Sequence, residues 1–135
     1  HDSQVAAIAA SPDGRYLATG AEDGTIIIWS AMAYLQKILI EISSLQGHTS
    51  WVNAACFSPC EQYIATASDD GTVRLCSVMD GSLIWRFTDH NARVIRVVFS
   101  GDGSTLASMD GMGQVCLHPV SRFVRSDMSR APLTG

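Results

Sequence analysis

Short apolar runs separated by polar turn sequences recur along the chain. Val5–Ala9, Val52–Phe57 and Val94–Phe99 are rich in β-branched, aromatic and small apolar residues. Each run ends at a turn sequence: Ser-Pro-Asp-Gly at 11–14, Ser-Pro-Cys-Glu at 58–61 and Ser-Gly-Asp-Gly at 100–103. Runs this short, bounded by such residues, predict strands. Second strands are expected at Tyr16–Thr19, Tyr63–Ala67 and Thr105–Ser108, and third strands at Thr25–Trp29, Thr72–Cys76 and Gln114–His118. Lys37–Ile42 and Leu83–Phe87 supply fourth strands, the latter introduced by Asp80-Gly81, and the segment near Phe123 is the remaining candidate. Proline pre-sets φ at the first turning position and glycine permits the positive φ that closes the turn. Glu61 stands where that glycine would be, so its turn is expected to use another geometry or carry strain.

The pattern is an internal repeat. His1, His48 and His90 fall in register at spacings of 47 and 42 residues, and the same offsets relate Val5, Val52 and Val94, then Ser11, Ser58 and Ser100. They also relate Thr19, Thr66 and Ser108, and Trp29, Cys76 and His118. Units of about 40 to 45 residues with four short antiparallel strands each are the sequence signature of propeller blades. The expected fold is all-β, with about three blades of a partial or oligomeric propeller. The repeats span 1–118, divided as 1–46, 47–88 and 89–118, and 119–135 is an outer-strand remnant or linker.

Composition narrows the function. With 135 residues, 47% apolar content and net charge −4, the chain suits one globular domain. It holds no apolar stretch long enough to cross a bilayer as a helix and opens without a basic-then-apolar leader profile. Its eight arginines and Lys37 are scattered until Arg122, Arg125 and Arg130, so nucleic acid is a poor fit. Cys56, Cys60, Cys76 and Cys116 lack paired zinc spacing and read as structural thiols. A reducing intracellular setting, cytoplasmic or nuclear, is the expectation. No Walker loop, HExxH, GxSxG or dinucleotide fingerprint is present. The glycine-rich Asp110–Gln114 segment lies at a turn between strands and leads into no helix, so it is not read as a phosphate loop.

The chain resembles the WD40 repeat family through Gly47-His48, Ser11–Gly14, Leu17–Trp29 and Ile64–Leu75. Two departures stand out: Ser30, Ser77 and Pro119 follow the Trp position where the family usually has Asp, and the third copy is degraded. The resemblance implies a buried structural tetrad of His, Ser or Thr, Asp and Trp. It maps onto His1, Thr19, Asp23 and Trp29 in the first unit, and onto His48, Thr66 and Asp70 in the second, where Cys76 replaces Trp. In the third unit His90 and Ser108 remain, with Met112 and His118 at the Asp and Trp positions. Repetition of this set argues against a hydrolase triad, which needs a single constellation beside a cleft. Trp85 is expected to fill the space Cys76 leaves.

The resemblance further implies a protein-interaction scaffold within a larger complex and no enzymatic activity, cofactor or metal. Partner contacts map onto Gln4, Ala6, Glu22, Trp51, Asn53, Asp69, Arg93, Ile95 and Gly111. Three blades leave open end faces, so the chain is read as part of a longer propeller, or as completed by a second copy or another chain's blades. The alternatives are a ligand-binding or enzymatic propeller using the central channel, and a purely structural arc.

Overall fold

A computed structural model describes residues 3–30, 40–45 and 48–120, and the strands it contains form three antiparallel sheets. The first sheet runs β1 (Val5–Ala10), β2 (Tyr16–Ala21), β3 (Ile26–Ser30), β4 (Ile40–Leu45). The second runs β5 (Val52–Phe57), β6 (Tyr63–Ser68), β7 (Val73–Ser77), β8 (Leu83–Phe87). The third contains β9 (Val94–Phe99), β10 (Thr105–Asp110) and β11 (Val115–Pro119). Within each sheet every strand pairs with its neighbour in sequence, and β5 packs against β1 on one side and β9 on the other.

The third strands begin one residue later than expected. Thr25, Thr72 and Gln114 instead close the preceding turns, their carbonyls accepting the N–H groups of Ala21, Ser68 and Asp110. β4 is described from Ile40; residues 37–39 of the expected strand and the segment around Phe123 lie outside the described residues. The other hairpin turn is fixed by a repeated serine. Ser11, Ser58 and Ser100 Oγ accept the N–H of Tyr16, Tyr63 and Thr105 at 2.9, 3.1 and 3.1 Å, holding the chain across each turn.

Glu61 keeps the turn geometry of the other copies rather than adopting a new one. Its φ is 68°, matching the left-handed glycines Gly14 and Gly103 at 80° and 76°. This conformation is costly for a side chain, and here the side chain is used. The buried Glu61 carboxylate accepts the Asp13 N–H at 2.7 Å and an Arg15 Nη2 bond at 3.0 Å, clasping the first sheet's turn to the second's.

Two apolar clusters hold the sheets together. Ala7, Ala18, Ile26 and Ile28 of the first sheet meet Val52, Phe57, Ile64 and Cys76 of the second. Val73, Leu75 and Phe87 meet Val94, Val97 and Leu106 of the third. Approach is closest at glycine: a Cβ on Gly24, whose φ is +89°, would sit 2.1 Å from the His48 carbonyl oxygen, so no other residue fits there.

Trp85 does not occupy the space beside Cys76. A bulge between Leu75 and Cys76 sets Cys76 opposite Leu83 and Trp85 opposite Leu75. Directly paired residues share a face, and Leu75 belongs to the cluster facing the third sheet whereas Cys76 belongs to the one facing the first. Trp85 therefore lies on the opposite side and is 49% exposed. Arg74, two residues before Cys76, is partly buried with its Nε wholly out of solvent. Its charge bears on both His48 and Cys76.

Candidate functional site

One end of the first strands gathers six of the nine predicted contact residues into pairs. The carbonyls of Gln4, Trp51 and Arg93 accept the N–H groups of Glu22, Asp69 and Gly111 at 2.9, 2.9 and 2.8 Å. Each bond ties the start of a first strand to the turn between the second and third strands of the same sheet. The other three candidates, Ala6, Asn53 and Ile95, are the unpaired residues of bulges, where register shifts between Val5 and Ala7, Val52 and Ala54, and Asp110 and Met109. Bulges re-aim side chains at the ends of strands. The three sheets thus present the same construction side by side at one loop-bearing end.

The side chains at this end differ in availability. Trp51 is 37% exposed, and Gln4, Ala6, Arg93 and Gly111 are exposed. Asn53 is occupied: its Nδ2 donates to Asp69 Oδ1 at 2.6 Å and to the Val94 carbonyl at 2.9 Å, bridging the second and third sheets. Glu22 and Ile95 are half-buried.

Beneath this end lie the hydrogen-bonded sets. In the second sheet His48 Nε2 meets Thr66 Oγ1 at 2.8 Å and Nδ1 meets Asp70 Oδ2 at 3.0 Å. Asp70 also accepts the N–H of Thr49 and both the N–H and hydroxyl of Thr72. Burial pushes the Asp70 carboxyl up, but the bonds from Thr72 and His48 outweigh it and hold the group at about 2. Burial lowers His48 from its ordinary value and keeps it neutral, with Asp70 opposing. In the first sheet Trp29 Nε1 donates to Thr19 Oγ1 at 3.0 Å, and exposed Asp23 caps its own turn by accepting from Thr25. His1 lies outside the described residues.

The third set is closed by a residue that register alone does not predict. Met112 takes the aligned Asp position, but Asp110 reaches His90 Nδ1 at 2.9 Å from two residues earlier, at the place equivalent to Ser68. Its other oxygen accepts the N–H groups of Met112 and Gln114 at 2.9 and 3.0 Å. His90 Nε2 meets Ser108 Oγ at 2.7 Å, and His118 Nε2 meets the same hydroxyl at 3.0 Å, in place of the indole donor seen on Trp29. With His90 Nδ1 donating to the carboxylate, Ser108 donates to His90 and accepts from His118. His118 lies tilted against the Phe87 ring, 4.3 Å between centroids, and turns Nδ1 toward Asp89 at 3.3 Å.

These sets resemble serine-hydrolase geometry in their atoms but not in their setting. Thr66, Ser108, His48 and His90 are all buried. Among the described residues no group of three His, Cys, Asp or Glu is placed to hold a metal ion. The cysteines form no disulfide, and burial pushes the Cys76 thiol up to about 11. A polar cleft of about 370 Å³ opens between β8 and β11, lined by residues including Trp85, Asp89 and His118.

The family model for the WD domain, G-beta repeat matches residues 1–30, 40–77 and 81–116. Comparison with curated proteins gave no match.

Proposed function

The chain belongs to the WD40 repeat family and its three sheets are blades of a partial β-propeller, and from that premise we propose that it is a protein-interaction scaffold. Domains of this family commonly bind other proteins. In this reading the loop-bearing end carrying Trp51 and Arg93 is the contact face. The observation that carries it is the matched pairing of Gln4 with Glu22, Trp51 with Asp69 and Arg93 with Gly111. Three rigid blades thereby set variable side chains at equivalent positions, a broad preorganised surface rather than a cleft. Trp and Arg are enriched among interface hot spots.

The end blades support a place in a larger assembly. On the first, Ile8 is 69% exposed and shares its face with Thr19; on the third, Leu117 is 69% exposed and pairs with Ala107. The equivalent faces between blades are buried, so further blades, from a longer chain or a second copy, complete the ring and cover these apolar surfaces. Four cysteines without disulfides support an intracellular setting, cytoplasmic or nuclear. Burial of the repeated Ser/Thr-His-Asp sets supports a role without catalysis.

The test is site-specific photo-crosslinking in cells. A benzophenone side chain at position 51 is expected to capture protein partners, whereas one at position 102, in the exposed turn at the other end of β9, is not. Equal capture from both positions, or capture only from 102, would overturn the assignment of this face.

A further inference from the structure

The relocated carboxylate of the third blade frees its turn for another use. At this turn position the first two blades carry Asp23 and Asp70, and Asp70 points inward to His48. In the third blade Asp110 makes the inward bonds, and Met112 stands at the tip, 83% exposed. Gly111 and Gly113 flank it, so no neighbouring side chain screens the thioether. The missing Cβ of Gly111 matters: placed there, it would lie 3.2 Å from Arg93 Nε and 3.3 Å from Arg93 Cγ. The Arg93 stem therefore lies across the bare backbone next to Met112.

Arg93 forms no ion pair among the described residues, and Asp69, at the same turn on the neighbouring blade, is engaged by Asn53. The result is an unneutralised guanidinium beside an exposed, adaptable apolar side chain, with Trp51 at the equivalent position one blade away. Glu22 and Asp23 on the first blade carry the opposite sign.

We propose that Arg93 and Met112 form a two-point docking site for an acidic peptide segment of a partner protein, one that carries an apolar side chain next to its carboxylate. The guanidinium takes the carboxylate in a charge-assisted, bidentate bond, and the polarizable thioether accommodates the apolar neighbour. Repulsion from Glu22 and Asp23 confines the carboxylates to the third blade and fixes the direction of the segment. This inference rests on the reading of the loop end as the contact face and adds the chemistry of what it takes.

The probe is a displayed library of random dodecapeptides selected on the intact chain. Selected sequences are expected to carry Glu or Asp beside Leu, Ile, Phe or Met. A consensus peptide is expected to weaken by about tenfold with Arg93→Ala and again with Met112→Ser, the size of a modest hot-spot loss. Asp102→Ala, at the opposite turn, is expected to leave it unchanged, and circular dichroism of each variant checks the fold. A basic or uncharged consensus overturns the proposal, as does an acidic one indifferent to both substitutions. Peptides that respond to Trp51→Ala but to neither Arg93→Ala nor Met112→Ser would sink this inference and leave the contact face standing. Peptides insensitive to all three would remove both.

Discussion

Moving the carboxylate in the second blade to its third-blade position tests the hydrogen-bond logic directly. Asp70→Met removes the acceptor for His48 Nδ1, the N–H groups of Thr49 and Thr72, and the Thr72 hydroxyl. The His48 side chain is 0% exposed, but the Thr72 hydroxyl 3.2 Å from Nδ1 can accept in place of the carboxylate, so the weakened bond costs about 1–2 kcal/mol. The other three donors lie at the half-open turn, where water replaces part of what is lost, adding about 1 kcal/mol in total. The single variant is therefore expected to lose about 2–3 kcal/mol. Linkage gives a compatible scale. A carboxyl held at about 2 instead of 3.8 corresponds to roughly 2 kcal/mol, or about 1 once solvent screening at a partly open site is allowed for.

Adding Ser68→Asp puts the carboxylate where Asp110 stands in the third blade, two residues before a Met. The new group faces His48 and the N–H of residue 70, which Ser68 Oγ already accepts at 3.1 Å. The one contact forfeited is the Ser68 hydroxyl bond to the Ser50 carbonyl at 3.3 Å, worth under about 1 kcal/mol. The double variant is expected to recover at least half of the loss, about 1 kcal/mol or more of coupling. Urea unfolding at pH 7, followed by tryptophan fluorescence for Asp70→Met with and without Ser68→Asp, reads it. A double variant no more stable than Asp70→Met would refute the claim that Asp110 substitutes functionally for the aligned Asp.

Three further outcomes are expected. Burial lowers the folded-state pKa of His48 and of His118, so the unfolded chain binds more protons; stability is full above about pH 6.5 and falls as pH drops below it. Asp70 adds a second loss between about pH 4 and 2, and a thermal-melt series flat from pH 7.5 to 5 would contradict the histidine part. Glu61→Gly is expected to be about 1 kcal/mol more stable than Glu61→Ala, because both lose the clasp to Asp13 and Arg15 but only glycine relieves the left-handed φ; equal melting points would argue against strain there. Cys76, with its thiol at about 11, should resist a thiol reagent until the chain unfolds, and Cys76→Trp should lose about 1–3 kcal/mol by overpacking against Ile64 and Ile28. Rapid labelling at pH 8 or a stabilised Trp variant would count against that packing.

Strand order, sheet membership and the pairing of blade turns are legible because they follow from period-two runs and from turn residues whose φ preferences are local. His48, Thr66 and Asp70 are legible as a set only through the resemblance to the WD40 family, which maps its tetrad onto them. Side-chain reach is not. Asp110 and Met112 differ by two positions in register, yet a carboxylate two residues earlier meets the same imidazole, and no alignment of types conveys that. Alternation does not place Trp85 correctly, because a bulge between Leu75 and Cys76 breaks the period, and bulges leave little trace in sequence. The partners of Ser11, Ser58 and Ser100 are not legible although the serines align, because a serine in a turn does not reveal which amide it holds. The clasp from Glu61 depends on contact between blades, which local patterning does not encode.

Amide hydrogen exchange across the chain, with and without a partner captured by crosslinking at position 51, decides whether the loop-bearing end meets partner proteins. Protection is expected in segments 22–25, 48–53, 69–72, 90–95 and 110–114, with the turns at 12–14, 59–61 and 101–103 unchanged. Protection confined to those opposite turns, or to the outer strand β8, would contradict it.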